Sequence, residues 1–212
     1  MALLILRGIE EMRILFTGFD PFGGEKINPA GEAVKMMKNE IQGAEILKLE
    51  VPTVFGKAGE VLKKAVEQYR PDAVVCVGQA GGRAAITPEM IAVNIMDARI
   101  PDNAGNKPCH ELIIKEGREA YFSSLPVKDI EKNLNDNGIP SAVSYHAGTF
   151  VCNYLMYSLM NLINTKYPNM RGGFVHVPYS TEQVQNRTTP VPSMLLSEIT
   201  RGLEIIAETL AK

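Results

Sequence analysis

The segment 72–78, DAVVCVG, constrains the fold most strongly. Its five consecutive apolar residues show no polar alternation, so the run requires burial on both faces, and it is bounded too closely by Pro71 and Gly78 to be a helix. It reads as the central strand of a parallel sheet, which must carry helices on both sides. The flanking sequence supplies them. Residues 13–18 (RILFTG) read as a strand, 30–40 as a helix, 44–51 as a strand and 57–69 as a helix ended by Pro71. Beyond the central strand, 91–100 (IAVNIMDARI) reads as a further strand because Ile91, Val93 and Ile95 alternate. A helix over 127–137 stops at Asn137-Gly138, followed by a short strand at 142–145, a helix at 149–165, a strand at 173–177 and an amphipathic helix at 193–210. This order predicts an α/β fold: one domain, a three-layer α/β/α sandwich around a mainly parallel, twisted sheet, with its site at the carboxyl ends of the strands.

A chain of 212 residues suffices for one such domain with a sizeable core. The net charge of -2 and the absence of a basic stripe exclude a nucleic-acid partner, and no apolar run approaches a membrane span. Residues 1–11 hold a five-residue apolar run followed at once by Arg7, Glu10 and Glu11, too short for a secretory leader. They form an N-terminal extension of unknown role before a domain spanning 12–212, and the expected compartment is the cytoplasm.

Cys76, Cys109 and Cys152 lack metal-ligand spacing and leave one over, which argues against a disulfide framework. Cys76 sits inside the central strand, where a thiol is packing. Cys109 neighbours His110 in the loop GNKPCHE; such a pair suggests a metal only where further ligands converge, and the sequence identifies none, so an exposed loop thiol is expected. Cys152 stands where strand pattern gives way to helix pattern. There it is either core filling or a nucleophile, because a helix start offers partial positive charge and free backbone N–H groups.

A thiol nucleophile needs a base, and the base an orienting group. Of the three histidines, His110 lies in the irregular loop and His146 precedes a glycine turn, whereas His176 (GGFVHVP) ends the strand that follows the cysteine's helix. A right-handed crossover brings that strand end and the helix start to one rim, which favours His176. Glu89 is the acid candidate, with a first-turn helix acid after Thr87-Pro88 as an equal alternative. The glycine-rich stretches FTGFDPFGG and VGQAGGR give neither a dinucleotide fingerprint nor a Walker lysine. A nucleoside-phosphorylase-like or small-ligand-binding α/β protein using those loops is the competing class.

The motifs FTGFDPFGG, VGQAGGR…ITPE, ARIPDN, SAVSYHAGTFVCN and GGFVHVPY, in this order from about Met12 to the C-terminus, resemble those of the pyrrolidone-carboxyl peptidases (pyroglutamyl-peptidase I), a cysteine peptidase family. The resemblance implies Cys152 as nucleophile, His176 as base and Glu89 as third member. It also implies an α/β/α sandwich, removal of N-terminal pyroglutamyl residues from peptides, no metal or cofactor, and a homotetramer. The extension, Cys109 and His146 depart from the pattern. A pyroglutamyl group is a flat, neutral lactam, so Phe19 and Phe22, either side of Pro21, are expected to hold its ring, with core packing under the loop as the alternative and backbone groups of the glycine loops on the lactam's polar edge. Arg99 has two readings, ordering the site or forming a structural ion pair.

Overall fold

The computed structural model describes residues 11–212; the extension assigned to 1–11 lies almost wholly outside the described residues. In chain order the elements are β1 (Arg13–Phe19), α1 (Pro29–Met36), β2 (Glu40–Ile41), β3 (Ala44–Val51), α2 (Lys57–Tyr69), β4 (Ala73–Gln79), β5 (Thr87–Pro88), β6 (Ile91–Val93), β7 (Ala120–Phe122), α3 (Val127–Asp136), α4 (Val151–Lys166), β8 (Arg171–Val177), β9 (Tyr179–Ser180), α5 (Thr181–Val184), β10 (Ser193–Met194) and α6 (Leu196–Leu210). Six strands form the main sheet in the order β2-β3-β1-β4-β8-β5. The β3-β1-β4-β8 pairings are parallel, and only the short edge strands β2 and β5 run antiparallel.

The all-apolar strand is indeed central, with β1 on one side and β8 on the other. Its alternate side chains feed two cores. Val75 and Val77 join Phe16, Val175, Leu203 and Ile206 on the face covered by α1, α3 and α6. Val74 and Cys76 join Leu15, Phe174, Leu155 and Leu159 on the face covered by α2 and α4. The same period of two puts His176 on the α4 side, since it lies two residues after Phe174.

Four expectations are corrected. The helix placed at 30–40 ends at Met36, because Gln42 and Gly43, both at positive φ (51° and 77°), close a two-residue hairpin between β2 and β3. The strand placed at 142–145 is an extended segment with isolated bridges to Ile86 and Glu89; Pro88 has no N–H to donate, so a continuous ladder cannot form there. The strand placed at 91–100 shortens to Ile91–Val93, which pairs with the unanticipated β7. The last helix begins at Leu196 rather than Ser193, which pairs instead with Tyr179 in a short parallel bridge.

Candidate active site

Helix α4 runs back across the sheet from the carboxyl ends of the strands, so its first turn stands over the rim where β4 and β8 end. Asn153 fixes that turn: buried, it accepts from the Val93 N–H at 2.9 Å and donates to the carbonyls of Val93 (2.9 Å) and Ile95 (3.0 Å). No side chain caps the helix start and its first turn carries no acid, so the N–H groups there keep their partial positive charge. Cys152 lies in this turn. Its sulfur sits directly over Gly78, where an added Cβ would come within 3.0 Å of it and within 2.7 Å of the Phe174 ring. Gly78 is also the register partner of His176. Gly78 thus lies under the thiol and level with His176, and Cys152 and His176 both line a single cleft of about 610 Å³.

His176 is 5% exposed and its Nδ1 lies 2.6 Å from Oε1 of Glu89, which is fully buried. An ionised carboxylate only accepts, so Nδ1 carries the proton and Nε2 is left as the free basic nitrogen. Glu89 does not begin a helix. It follows β5, its N–H donates to the Phe174 carbonyl, and it bridges Ser144, which removes the helix-start alternative.

Arg83, the last residue of VGQAGGR, has no role legible in the sequence. Its Nη1 reaches the same Glu89 oxygen at 2.7 Å, and it too lines the cleft. Nothing in the spacing of Arg83 and Glu89 signals this contact; it arises because the loop after β4 folds back over β5.

The charges follow from these surroundings. Burial alone would raise the Glu89 carboxyl, but the hydrogen bond from His176, with support from Arg83, holds it below its ordinary value. Burial lowers His176, against the upward pull of Glu89, and Arg83 lowers it further. Burial, reinforced by the Glu89 charge and opposed by Arg83, pushes the Cys152 thiol up to about 12. The resting site is therefore a neutral thiol beside a neutral imidazole that leans on an ionised carboxylate. A helix start by itself favours a thiolate; here desolvation outweighs it.

The two phenylalanines expected to act together are separated. Phe19 is 3% exposed, packed in the core 6.3 Å from the Phe174 ring, and does not line the cleft. Phe22 does line it, facing Phe150 at 6.2 Å between ring centroids, with Phe55 edge-on behind Phe150 at 5.4 Å. Phe150 was missed as a site residue because in sequence it is one apolar residue among several before a helix. Arg99 is exposed at the cleft rim and makes no ion pair among the described residues. His146 also reaches the cleft, but it is exposed and its Nδ1 accepts from the Gly148 N–H at 3.3 Å, with no carboxylate behind it.

An α/β/α sheet whose strand ends gather a cysteine at a helix start, a buried histidine and a buried carboxylate defines a class, that of proteins built for acyl transfer through a thiol. The comparisons narrow it. The family model for pyroglutamyl peptidase matches residues 12–212. A pyrrolidone-carboxylate peptidase of Enterococcus faecalis is 54% identical over 201 residues, covering 95% of this chain and 94% of its own length. The crystal structure of pyroglutamyl peptidase I from Bacillus amyloliquefaciens superposes with a TM-score of 0.92 at 50% identity, covering 95% of each chain. A mutant pyrrolidone carboxyl peptidase from Pyrococcus furiosus gives 0.90 at 45% identity, covering 94% of this chain and 98% of its own. The chain belongs to the pyroglutamyl peptidase family.

Proposed function

We propose that this protein removes N-terminal pyroglutamyl residues from peptides by acyl transfer to Cys152. The observation that carries the reading is the 2.6 Å contact between buried His176 and buried Glu89, beside the Cys152 thiol in one cleft. Because the resting thiol is neutral, His176 Nε2 takes its proton as Sγ attacks the pyroglutamyl carbonyl carbon. Glu89 stabilises the imidazolium so formed. The oxyanion falls to the backbone N–H groups of the uncapped α4 start, where one such donor is worth roughly 3 kcal/mol. His176 then protonates the departing amine nitrogen as the C–N bond breaks, leaving a thioester. Water attacks the thioester with His176 again as base, and pyroglutamate leaves as the thiol recovers its proton.

The flat lactam ring fits against the paired aromatic surface of Phe22 and Phe150, with the backbone of Ala80 and Gly81 on its polar edge. Phe19 supports this site from the core instead of touching substrate.

The family resemblance carries the assembly reading, a homotetramer, and the exposed Phe122 (68%) and Leu112 (55%) are apolar side chains that an interface would cover. The three free thiols suit a reducing compartment, the cytoplasm. No helix of the described residues is long and apolar enough to cross a membrane.

Release of a chromophore from a pyroglutamyl amide tests the activity. The wild type hydrolyses it, Cys152→Ser does not, and Cys109→Ser keeps the rate. Hydrolysis by the Cys152→Ser protein refutes the mechanism, and no hydrolysis by the wild type refutes the function.

A further inference from the structure

Apart from Cys152, His176 and Glu89, one group of side chains has the composition of a soft-metal site. Asp97, Cys109 and His110 each place a ligand atom within 4.8 Å of the other two. The backbone explains why residues twelve and thirteen positions apart converge. Met96 and Glu111 exchange both hydrogen bonds of an antiparallel bridge (2.7 and 3.0 Å), while the Ala98 N–H reaches the Pro108 carbonyl at 2.9 Å. Between these two ties stands one residue on the first segment, Asp97, and two on the second, Cys109 and His110. That is a bulge, an arrangement that re-aims side chains, and it leaves His110 at φ +51°. The other edge of Asp97 is tied as well. Its N–H donates to the Thr149 carbonyl at 3.0 Å, and the Thr149 hydroxyl donates back to the Asp97 carbonyl at 2.8 Å.

We infer that Asp97, Cys109 and His110 form a binding site for a zinc-class divalent ion at the mouth of the cleft. A thiolate, an imidazole and a carboxylate are the donor types that zinc takes in tetrahedral sites with one open position. With metal–ligand bonds of about 2.0–2.3 Å, two corners of such a tetrahedron lie roughly 3.5 Å apart. His110 Nδ1 and Asp97 Oδ2 are already at 3.7 Å. The His110 side chain is 76% exposed and that of Asp97 41%, which leaves both room to turn toward an ion. Binding forms the metal–sulfur bond and releases the Cys109 thiol proton to solvent, so affinity rises with pH. Asp97 also lines the cleft, which places the ion beside the segment leading through Thr149 into Cys152.

Cadmium is the probe, because a thiolate bound to it gives a charge-transfer band in the ultraviolet. The full-length Cys152→Ser protein removes the catalytic thiol as a competing ligand, and Cys76 is sealed in the core at 0% exposure. Titration should develop the band to one cadmium per chain, and zinc added afterwards should displace it. Adding Cys109→Ser should abolish the band, and adding His110→Ala or Asp97→Asn should each weaken binding by about tenfold or more. The readout is independent of peptidase activity, so it stands or falls apart from the proposed function. No band at one equivalent, or a band with unchanged affinity in both the His110→Ala and Asp97→Asn proteins, overturns the site, the latter by showing a lone thiolate.

Discussion

Replacing Arg83 with methionine should move the acidic limb of the kcat/KM profile to higher pH. Arg83 and His176 sit on the same Glu89 oxygen at 2.7 and 2.6 Å, so their nearest nitrogens are no more than about 5 Å apart. At an effective dielectric of about 20, two positive charges at that separation repel by roughly 3 kcal/mol, or about two pK units before further screening. The Arg83 side chain is 32% exposed, so water screens part of this and about one unit is expected. The sign is the same by either route: removing the cation relieves repulsion of the imidazolium, and it frees Glu89 Oε1 for His176 alone, so the histidine pKa rises. In the proposed mechanism His176 works as a neutral base, and burial holds it below its ordinary value, so the wild-type limb is expected below about pH 6.5. In Arg83→Met the base is protonated at a higher pH and the limb climbs with it. The plateau should also fall, since Arg83 favours the Cys152 thiolate, but the position of the limb is the diagnostic. Initial rates at low substrate across the acidic range, with a fluorogenic pyroglutamyl amide, measure it. A limb that stays put or moves to lower pH refutes the assignment of Arg83 as the residue that positions Glu89 and tunes His176.

Glu89→Gln keeps the shape and a hydrogen bond to His176 but not the charge; it should fold normally and lose on the order of 10²-fold or more in kcat, checked by kinetics and thermal unfolding on one preparation. Phe22→Ala should raise KM for pyroglutamyl amides with little loss of stability, whereas Phe19→Ala, emptying a core site, should cost about 3–5 kcal/mol in denaturant unfolding. Burial pushes the Cys76 thiol up to about 12, so its contribution to stability is complete below pH 9 and is lost as pH rises from there towards 12. Unfolding titrations should therefore show a flatter alkaline decline in Cys76→Ala than in the wild type.

The features legible in the sequence are those with a one-dimensional signature. The run through Cys76 identifies a strand covered on both faces, and alternation along β8 puts His176 on the same side as α4. Pro71 and Asn137-Gly138 end their helices within a residue of the expected positions. Glu89 shows the limit. Local chemistry around Thr87-Pro88 suits a helix start as well as a strand end; the motif resemblance favours a site role for Glu89, and the pairing of β5 with β8, a contact across nearly ninety residues, fixes the strand conformation. Arg83, Phe150 and the convergence of Asp97 with Cys109 and His110 are likewise products of loops folding onto loops, which no periodicity encodes. The pair Phe19 and Phe22 has the opposite cause. Both precede a glycine-rich turn, but the last residue of β1 still follows the strand's alternation into the core, whereas Phe22 lies beyond it.

The central claim is that Cys152 carries the pyroglutamyl group as a thioester. Acid quenching during turnover of a pyroglutamyl ester, followed by peptide mapping and mass spectrometry, reads this directly. One pyroglutamyl acyl group is expected on the peptide containing Cys152, removable by hydroxylamine and absent from the peptides containing Cys76 and Cys109. An acyl group on another residue, or an initial burst of leaving group with no adduct on Cys152, contradicts the account.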